Sequence, residues 1–277
     1  MSVTNRALFV IERSLHDDLG LEDIARRCEV SRFHLAHAFG EAVGLSVIDY
    51  YRGRRLTEAA RVLAGGADDI LSLALQSGYA SHEAFSRAFK ARFGQTPDAV
   101  RAANSTQALP LVEPHPLLEP KTMTLTPPRI EPAGEMLFVG LTEHVPYEQP
   151  QRFPALWTRF MTGPYAEIEH RLDDAPVGLA TGSDELGVDY ACAAGVTAFG
   201  RIPEGCVKIR VAPATYAVFA HDGHVTELRD TYRAIWNDWL PASRYKPAEA
   251  PGLERHNPTF DPRTGNGGVT IWLPVEG

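Results

Sequence analysis

Two stretches of this chain set polar side chains opposite an apolar stripe at helical spacing, an arrangement suited to reading the polar edges of nucleic-acid bases. In residues 78–101, GYASHEAFSRAFKARFGQTPDAVR, Phe85, Phe89 and Phe93 recur at four-residue spacing, while His82, Glu83, Ser86 and Arg87 project from the opposite side. An arginine there can donate to a guanine edge or a phosphate and a serine can serve either, whereas Glu83 can only accept from a cytosine amino group. In an earlier stretch Leu35, Ala38, Phe39 and Val43 form the apolar side and leave Arg32, Phe33, Ala36 and His37 on the other. Clustered bases would supply the sequence-independent part of the chemistry. Arg52, Arg54 and Arg55 fall in one turn and Arg87, Lys90 and Arg92 in another, as phosphate neutralisation requires. A merely solvated helix face would carry the same charges.

The elements that must hold these side chains are marked by their caps. Ser81 is an N-cap, Gly94 supplies a left-handed stop, and Thr96 with Pro97 opens the next helix. A shift of 50 positions superposes an earlier unit on this one: Leu21 on Leu71, Ala25 on Leu75, Ser31 on Ser81, Leu35 on Phe85, Phe39 on Phe89, Gly44 on Gly94 and Ser46 on Thr96. Each unit reads as helix, short turn, helix, with Ile24, Ala25 and Cys28 facing inward in the first. A helix from Ser46 to about Leu63, with Ile48, Tyr51, Leu56, Ala59 and Ala60 on its apolar side, joins them rigidly. Thr4 caps a first helix whose Ala7, Leu8, Ile11 and Leu15 cover the first unit.

These residues resemble the AraC-type transcription regulators, whose signature places F-S-R-A-F-K in a helix after a Gly-aromatic turn and follows it with F-G and a T-P helix start. The resemblance spans residues 5–104 and implies an all-α domain with two helix-turn-helix units. It implies that Arg32, Phe33, Ala36 and His37 in the first unit enter a major groove, with His82, Glu83, Ser86 and Arg87 the candidate readers in the second, while the clustered bases Arg54, Arg55 and Lys90 suit phosphates. Many relatives carry a longer basic or amide side chain where this chain has His37. The partners implied are double-stranded DNA and RNA polymerase. Two such helices on one connector predict an asymmetric site with contacts about one turn, roughly 34 Å, apart.

The whole-chain charge of −8 hides an uneven division. Met1 to Gln107 holds 13 Lys plus Arg against 13 Asp plus Glu, so the remainder, 27 less 13 and 35 less 13, holds 14 against 22 and carries the entire deficit. No run approaches the roughly 18 apolar residues of a membrane span, and Arg6, Glu12 and Arg13 interrupt the apolar residues of the N-terminus, so a cytoplasmic protein is expected. Cys28, Cys192 and Cys206 form no close pair and read as packing thiols. His221, Asp222 and His224 include an H-x-x-H, but Gly223 puts them in a turn with no third ligand at matching spacing, so no metal is expected. No nucleotide or nucleophile-elbow motif occurs, Gly265 to Gly268 reads as a hairpin turn, and no cofactor is expected.

After residue 107 the composition changes. Pro110, Pro114, Pro116, Pro120, Pro127 and Pro128 mark an extended linker over residues 108–128, and a second domain follows over 129–277. Its pattern is strand Met136 to Leu141, helix around Phe153, Leu156, Trp157 and Phe160, then strands Pro176 to Thr181 and Val188 to Val196. The order recurs as strand Thr215 to Ala220, helix Leu228 to Leu240, and strands Gly252 to His256 and Val269 to Pro274. A duplicated strand-helix-strand-strand unit is an α+β domain in which two helices cover an antiparallel sheet and leave a groove between the halves.

The stretches YACAAGV (190–196), IWNDWLPAS (235–243), GLERHN (252–257) and TIWLPV (270–275) resemble the GyrI-like ligand-binding domains, and with the DNA-reading part placed first the chain resembles the Rob subgroup of AraC-type regulators. The resemblance implies a regulator that binds a small apolar or aromatic effector, with Glu148, Trp157, Phe160, Tyr190, Trp236, His256, Thr270 and Trp272 as ligand-binding candidates. Where many relatives carry a glutamate in the last strand this chain has Thr270, which favours a neutral, planar effector unless Glu148 restores the charge. The alternative is a domain that hydrolyses or sequesters a toxic small molecule, with Glu148, Glu254 or His256 as the working group.

Overall fold

The computed structural model describes residues 1–67, 69–118, 125–172, 175–184, 186–261 and 263–277. Its helices begin where short polar side chains can satisfy the first free amides. α1 (Val3–Arg13) starts at Ser2, whose hydroxyl accepts from the Asn5 amide at 3.2 Å. Thr4 is not the cap: it stands one turn before Ala7 and Leu8 on the apolar stripe and is buried with them. After α2 (Leu21–Arg27), the Ser31 hydroxyl accepts from the His34 amide at 3.1 Å and opens α3 (Arg32–Val43). Ser46 opens the connector α4 (Val47–Ala64), Asp69 caps α5 (Ile70–Gln76), Ser81 caps α6 (His82–Phe93) and Thr96 caps α7 (Pro97–Ala103). Gly44 and Gly94, at φ of 79° and 71°, end α3 and α6 in the left-handed conformation that glycine adopts without a Cβ penalty.

The chain divides into two compact units, residues 1–35 with 45–119, and residues 36–44 with 120–277. The core of the first includes Leu56, Ala60 and Leu63 of α4, Leu73 of α5, Phe85, Phe89 and Phe93 of α6, and Val100 of α7. The proline-rich stretch read as the start of a linker is anchored here. Leu109 joins that core, the Val112 amide donates to the Thr57 hydroxyl at 2.9 Å, and Leu118 exchanges two hydrogen bonds with the Asn5 side chain at 2.8 and 3.0 Å. Proline removes backbone donors, so the stretch is held by side chains rather than by a ladder. Pro120, with the rest of 119–124, lies outside the described residues.

The second unit is built on an antiparallel sheet whose strands are β1 (Arg129–Ala133), β2 (Met136–Pro146), β3 (Val177–Ser183), β4 (Gly187–Val196), β5 (Val207–Val211), β6 (Ala214–His221), β7 (Lys246–Pro247), β8 (Gly252–His256) and β9 (Val269–Glu276). They lie in the order β1-β6-β9-β8-β3-β4-β2-β5, with β7 paired to β9. α8 (Arg152–Thr162) follows β2, and α9 (Leu228–Ala234) follows β6 and runs through a π-helical turn, Ile235–Trp239, into α10 (Leu240–Ala242). The duplicated strand-helix-strand-strand unit is therefore present, with the two halves meeting at the β3–β8 pair. Three strands went unread in the sequence, β1, β5 and β7: each is short and at or near an edge, where periodicity has little length in which to show.

Alternation along the strands sorts side chains onto two faces. Leu156 and Phe160 of α8 pack on Val139, Leu141, Tyr190 and Cys192, and since Gly178 pairs with both Cys192 and Glu254, that helix-covered face also carries Glu254. Phe138, Leu179, Tyr216 and Leu253 pack on the reverse face together with Trp272.

Candidate nucleic-acid interface and small-molecule groove

On α6 the phenylalanine stripe is buried, Phe85 and Phe89 at 0% exposure and Phe93 at 5%, with ring centroids 5.5 and 4.7 Å apart along the series. That burial fixes the opposite side, where Glu83, Arg87 and Lys90 are exposed and His82 and Ser86 half-buried. Hydrogen bonds from its own amide and from Ser81 hold the Glu83 carboxyl below its ordinary range, so it stays an anion at the positive end of the helix.

Arg54 and Arg55 do not belong to that surface. Arg54 is 3% exposed; its Nε donates to Glu12 at 2.9 Å, Nη2 stands 3.0 Å from Glu58, and Nη1 donates to the Val112 carbonyl at 3.0 Å. Arg55 donates to the Ser77 carbonyl and lies over the Tyr51 ring, 5.0 Å from its centroid, in space that a Cβ on Gly78 would fill. Both guanidiniums are bound internally because each stands four residues after a buried tyrosine, Tyr50 or Tyr51, on the covered side of α4. Arg52 of the same turn is exposed.

On α3, Arg32 and Phe33 are exposed, but Ala36 and His37 are 5% and 7% exposed. Residues 36–44 belong to the second unit.

The helix-covered face of the sheet holds a carboxylate that the sequence reading did not place at its centre. Glu254 accepts from the Tyr190 hydroxyl at 2.6 Å and from the Tyr232 hydroxyl at 2.8 Å. Gly178 permits this, since a Cβ there would overlap the Tyr190 hydroxyl. Burial first, and then the Glu254 charge, push both phenols well above their ordinary range, so they remain protonated donors. Around them Phe153 meets Tyr190 edge-on at 4.9 Å, and Trp157 meets His256 edge-on at 5.2 Å.

The other candidates scatter. Phe160 is at 0% exposure inside the core, Glu148 is exposed in the turn before α8, and Trp236 is 3% exposed. Thr270 and Trp272 are on the reverse face, where the Thr270 hydroxyl bonds to the Arg255 carbonyl and the indole N–H and Trp272 lies under the Arg255 guanidinium. Period-two alternation sends them there, because Trp272 pairs with Leu253 while Ile271 pairs with Glu254. His221 accepts from the Thr231 hydroxyl at 2.8 Å and donates to the His224 carbonyl at 3.0 Å, so both ring nitrogens are engaged by the protein.

Residues 126–276, more than half of the chain, match the family described as a GyrI-like small molecule binding domain. The chain belongs to the GyrI-like family. Residues 24–103 of this GyrI-like protein match a helix-turn-helix domain. It is 24% identical over 273 residues to the transcriptional regulator Rob of Salmonella typhimurium, across 95% of this chain and 93% of that one. The right origin-binding protein of Escherichia coli K12 is 24% identical over 272 residues, with the same coverage. The multiple antibiotic resistance protein MarA of Salmonella typhimurium is 35% identical over 94 residues, 34% of this chain and 74% of that one. The protein is a DNA-binding transcription regulator with an AraC-type helix-turn-helix part followed by a GyrI-like domain. Among its described residues no helix is long and apolar enough to cross a membrane.

In this GyrI-like regulator the residue beside Glu254 that sequence reasoning missed is Tyr232. Tyr232 carried a signal: it precedes Trp236 by one helical turn, so both must share a side of the helix.

Proposed function

We propose that this regulator reads DNA through the exposed side of α6, acts on RNA polymerase from there, and answers to a lipophilic cation seated at Glu254. The observation that carries the effector class is the pairing of Glu254. Both carboxylate oxygens are met by phenols, and among the described residues neither is met by an arginine or lysine. Two neutral donors leave this half-buried carboxylate without a counter-ion, so the site gains from a positive ligand. Aromatic faces at Phe153, Trp157, Tyr190 and Tyr232 add cation–π attraction of roughly 0.5–2 kcal/mol together with apolar area. The expectation of a neutral effector rested on Thr270; with the carboxylate on the adjacent strand, the balance moves to a cation.

Tryptophan fluorescence quenching tests this. Quaternary-ammonium dyes should bind more tightly than neutral isosteres matched for size, and Glu254→Gln should remove the difference. Equal binding of charged and neutral members by the unaltered protein would end the cation reading, and turnover of an electrophilic ligand in the same assay would favour the hydrolytic alternative.

A further inference from the structure

Beside Glu254 the sheet carries a second titratable side chain. His256 stands two residues later on β8, so both project from the helix-covered face, about 7 Å apart along the strand. Trp157 of α8 meets the imidazole edge-on at 5.2 Å, and Phe260 lies against it with ring centroids 4.1 Å apart. Nδ1 stands 3.2 Å from the Pro176 carbonyl, which can only accept, so in the neutral ring Nδ1 carries the hydrogen and Nε2 is the atom that gains a second proton. Protonation thus changes the charge of the ring and leaves its anchor intact. The other charges nearby are taken up. Glu143, opposite Tyr190 on β2, meets Arg152 at 2.6 Å and Arg159 at 3.1 Å, both solvent-exposed on α8. Asp261, next to Phe260, accepts from the Arg263 amide at 2.9 Å, and the Arg255 guanidinium lies over Trp272 on the reverse face. β9 presents Val269 opposite the ring, and β4 and α9 present the protonated phenols of Tyr190 and Tyr232. Among the described residues this leaves Glu254 as the carboxylate without a cation and His256 as the neighbour able to become one.

We propose that His256 sets the charge preference of this groove: neutral, it leaves Glu254 unopposed and a cation is favoured; protonated, it offsets Glu254 and a neutral aromatic ligand binds as readily as a charged one. Imidazole is the side chain whose charge ordinarily changes between pH 5 and 8, and the ring is held too firmly by Trp157, Phe260 and the Pro176 carbonyl to swing away from a ligand at Glu254. Two positive charges about 7 Å apart, at an effective dielectric between those of protein and water, weaken binding roughly tenfold. The effect is reciprocal, so a bound cation disfavours protonation of the ring by the same factor. This role rests on the cation reading of Glu254 given above.

The test uses the full chain with 1-methylquinolinium, whose charge is permanent, and 1-methylnaphthalene, its neutral isostere, in equilibrium dialysis at about pH 8 and about pH 5.5. The unaltered chain should prefer the cation at the higher pH and lose roughly tenfold of that affinity at the lower, while its affinity for the neutral ligand stays level. His256→Asn, which keeps an amide donor for the Pro176 carbonyl, should show the same cation affinity at both pH values. In proton NMR of the unaltered chain, saturation with the cation should lower the midpoint of the His256 ring titration by about one pH unit, the same tenfold read from the other side. Three results would overturn the role of His256: a cation affinity that is level with pH, a fall that His256→Asn retains, or a ring midpoint that the cation leaves unmoved. Failure of the cation reading itself looks different, since the two ligands would then bind equally at the higher pH.

Discussion

α3 and α6 are built alike and placed differently. Each begins at a serine cap, buries a phenylalanine at the matching position, Phe39 or Phe89, at 0% exposure, and ends at a left-handed glycine. Around the second, Glu83, Arg87 and Lys90 stand in solvent; around the first, Ala36 and His37 are covered. Position in a motif therefore sets the fold of a helix but not the exposure of its polar side.

The comparison yields predictions in descending size. Phe39→Ala and Phe89→Ala should each cost about 3–5 kcal/mol of stability in urea unfolding, through lost burial and the cavity left behind. If one costs far less than the other, the helices are not equivalent scaffolds. Arg54→Ala should cost about 3 kcal/mol, because it strips Glu12 and Glu58 of a buried partner, and should leave the salt dependence of DNA binding unchanged. A flatter salt slope would return Arg54 to the phosphate surface. Arg87→Ala should weaken binding to a selected sequence by about 1–3 kcal/mol and relax its preference, whereas His37→Ala should leave that affinity nearly unchanged. Equal losses from both would erase the distinction between the helices.

Much of this was legible in the sequence because it is local. Ser31, Ser46, Ser81, Thr96, Gly44 and Gly94 specify the ends of helices through bonds that span three or four residues, and the 50-residue repeat fixes which sides match. The six strands that were read have enough length for alternation to show. What was not legible depends on partners distant in sequence. Arg54 reads as an exposed base until Glu12, 42 residues away, is seen beside it. Thr270 reads as a groove residue until the β8–β9 register turns it to the reverse face. Glu254 reads as one acid among many until the Tyr190 hydroxyl arrives from 64 residues away. A side-chain pair of that kind leaves no periodic trace.

The most direct test of the claim that α6 is free and the reading side of α3 is covered is the rate of histidine carbethoxylation, followed by mass spectrometry of peptides from the unliganded full chain. His82 is half-buried at the start of α6, and His37 is 7% exposed. The account predicts that His82 reacts much faster than His37 and that DNA protects His82. Comparable reactivity of His37 and His82 in the unaltered protein would contradict it.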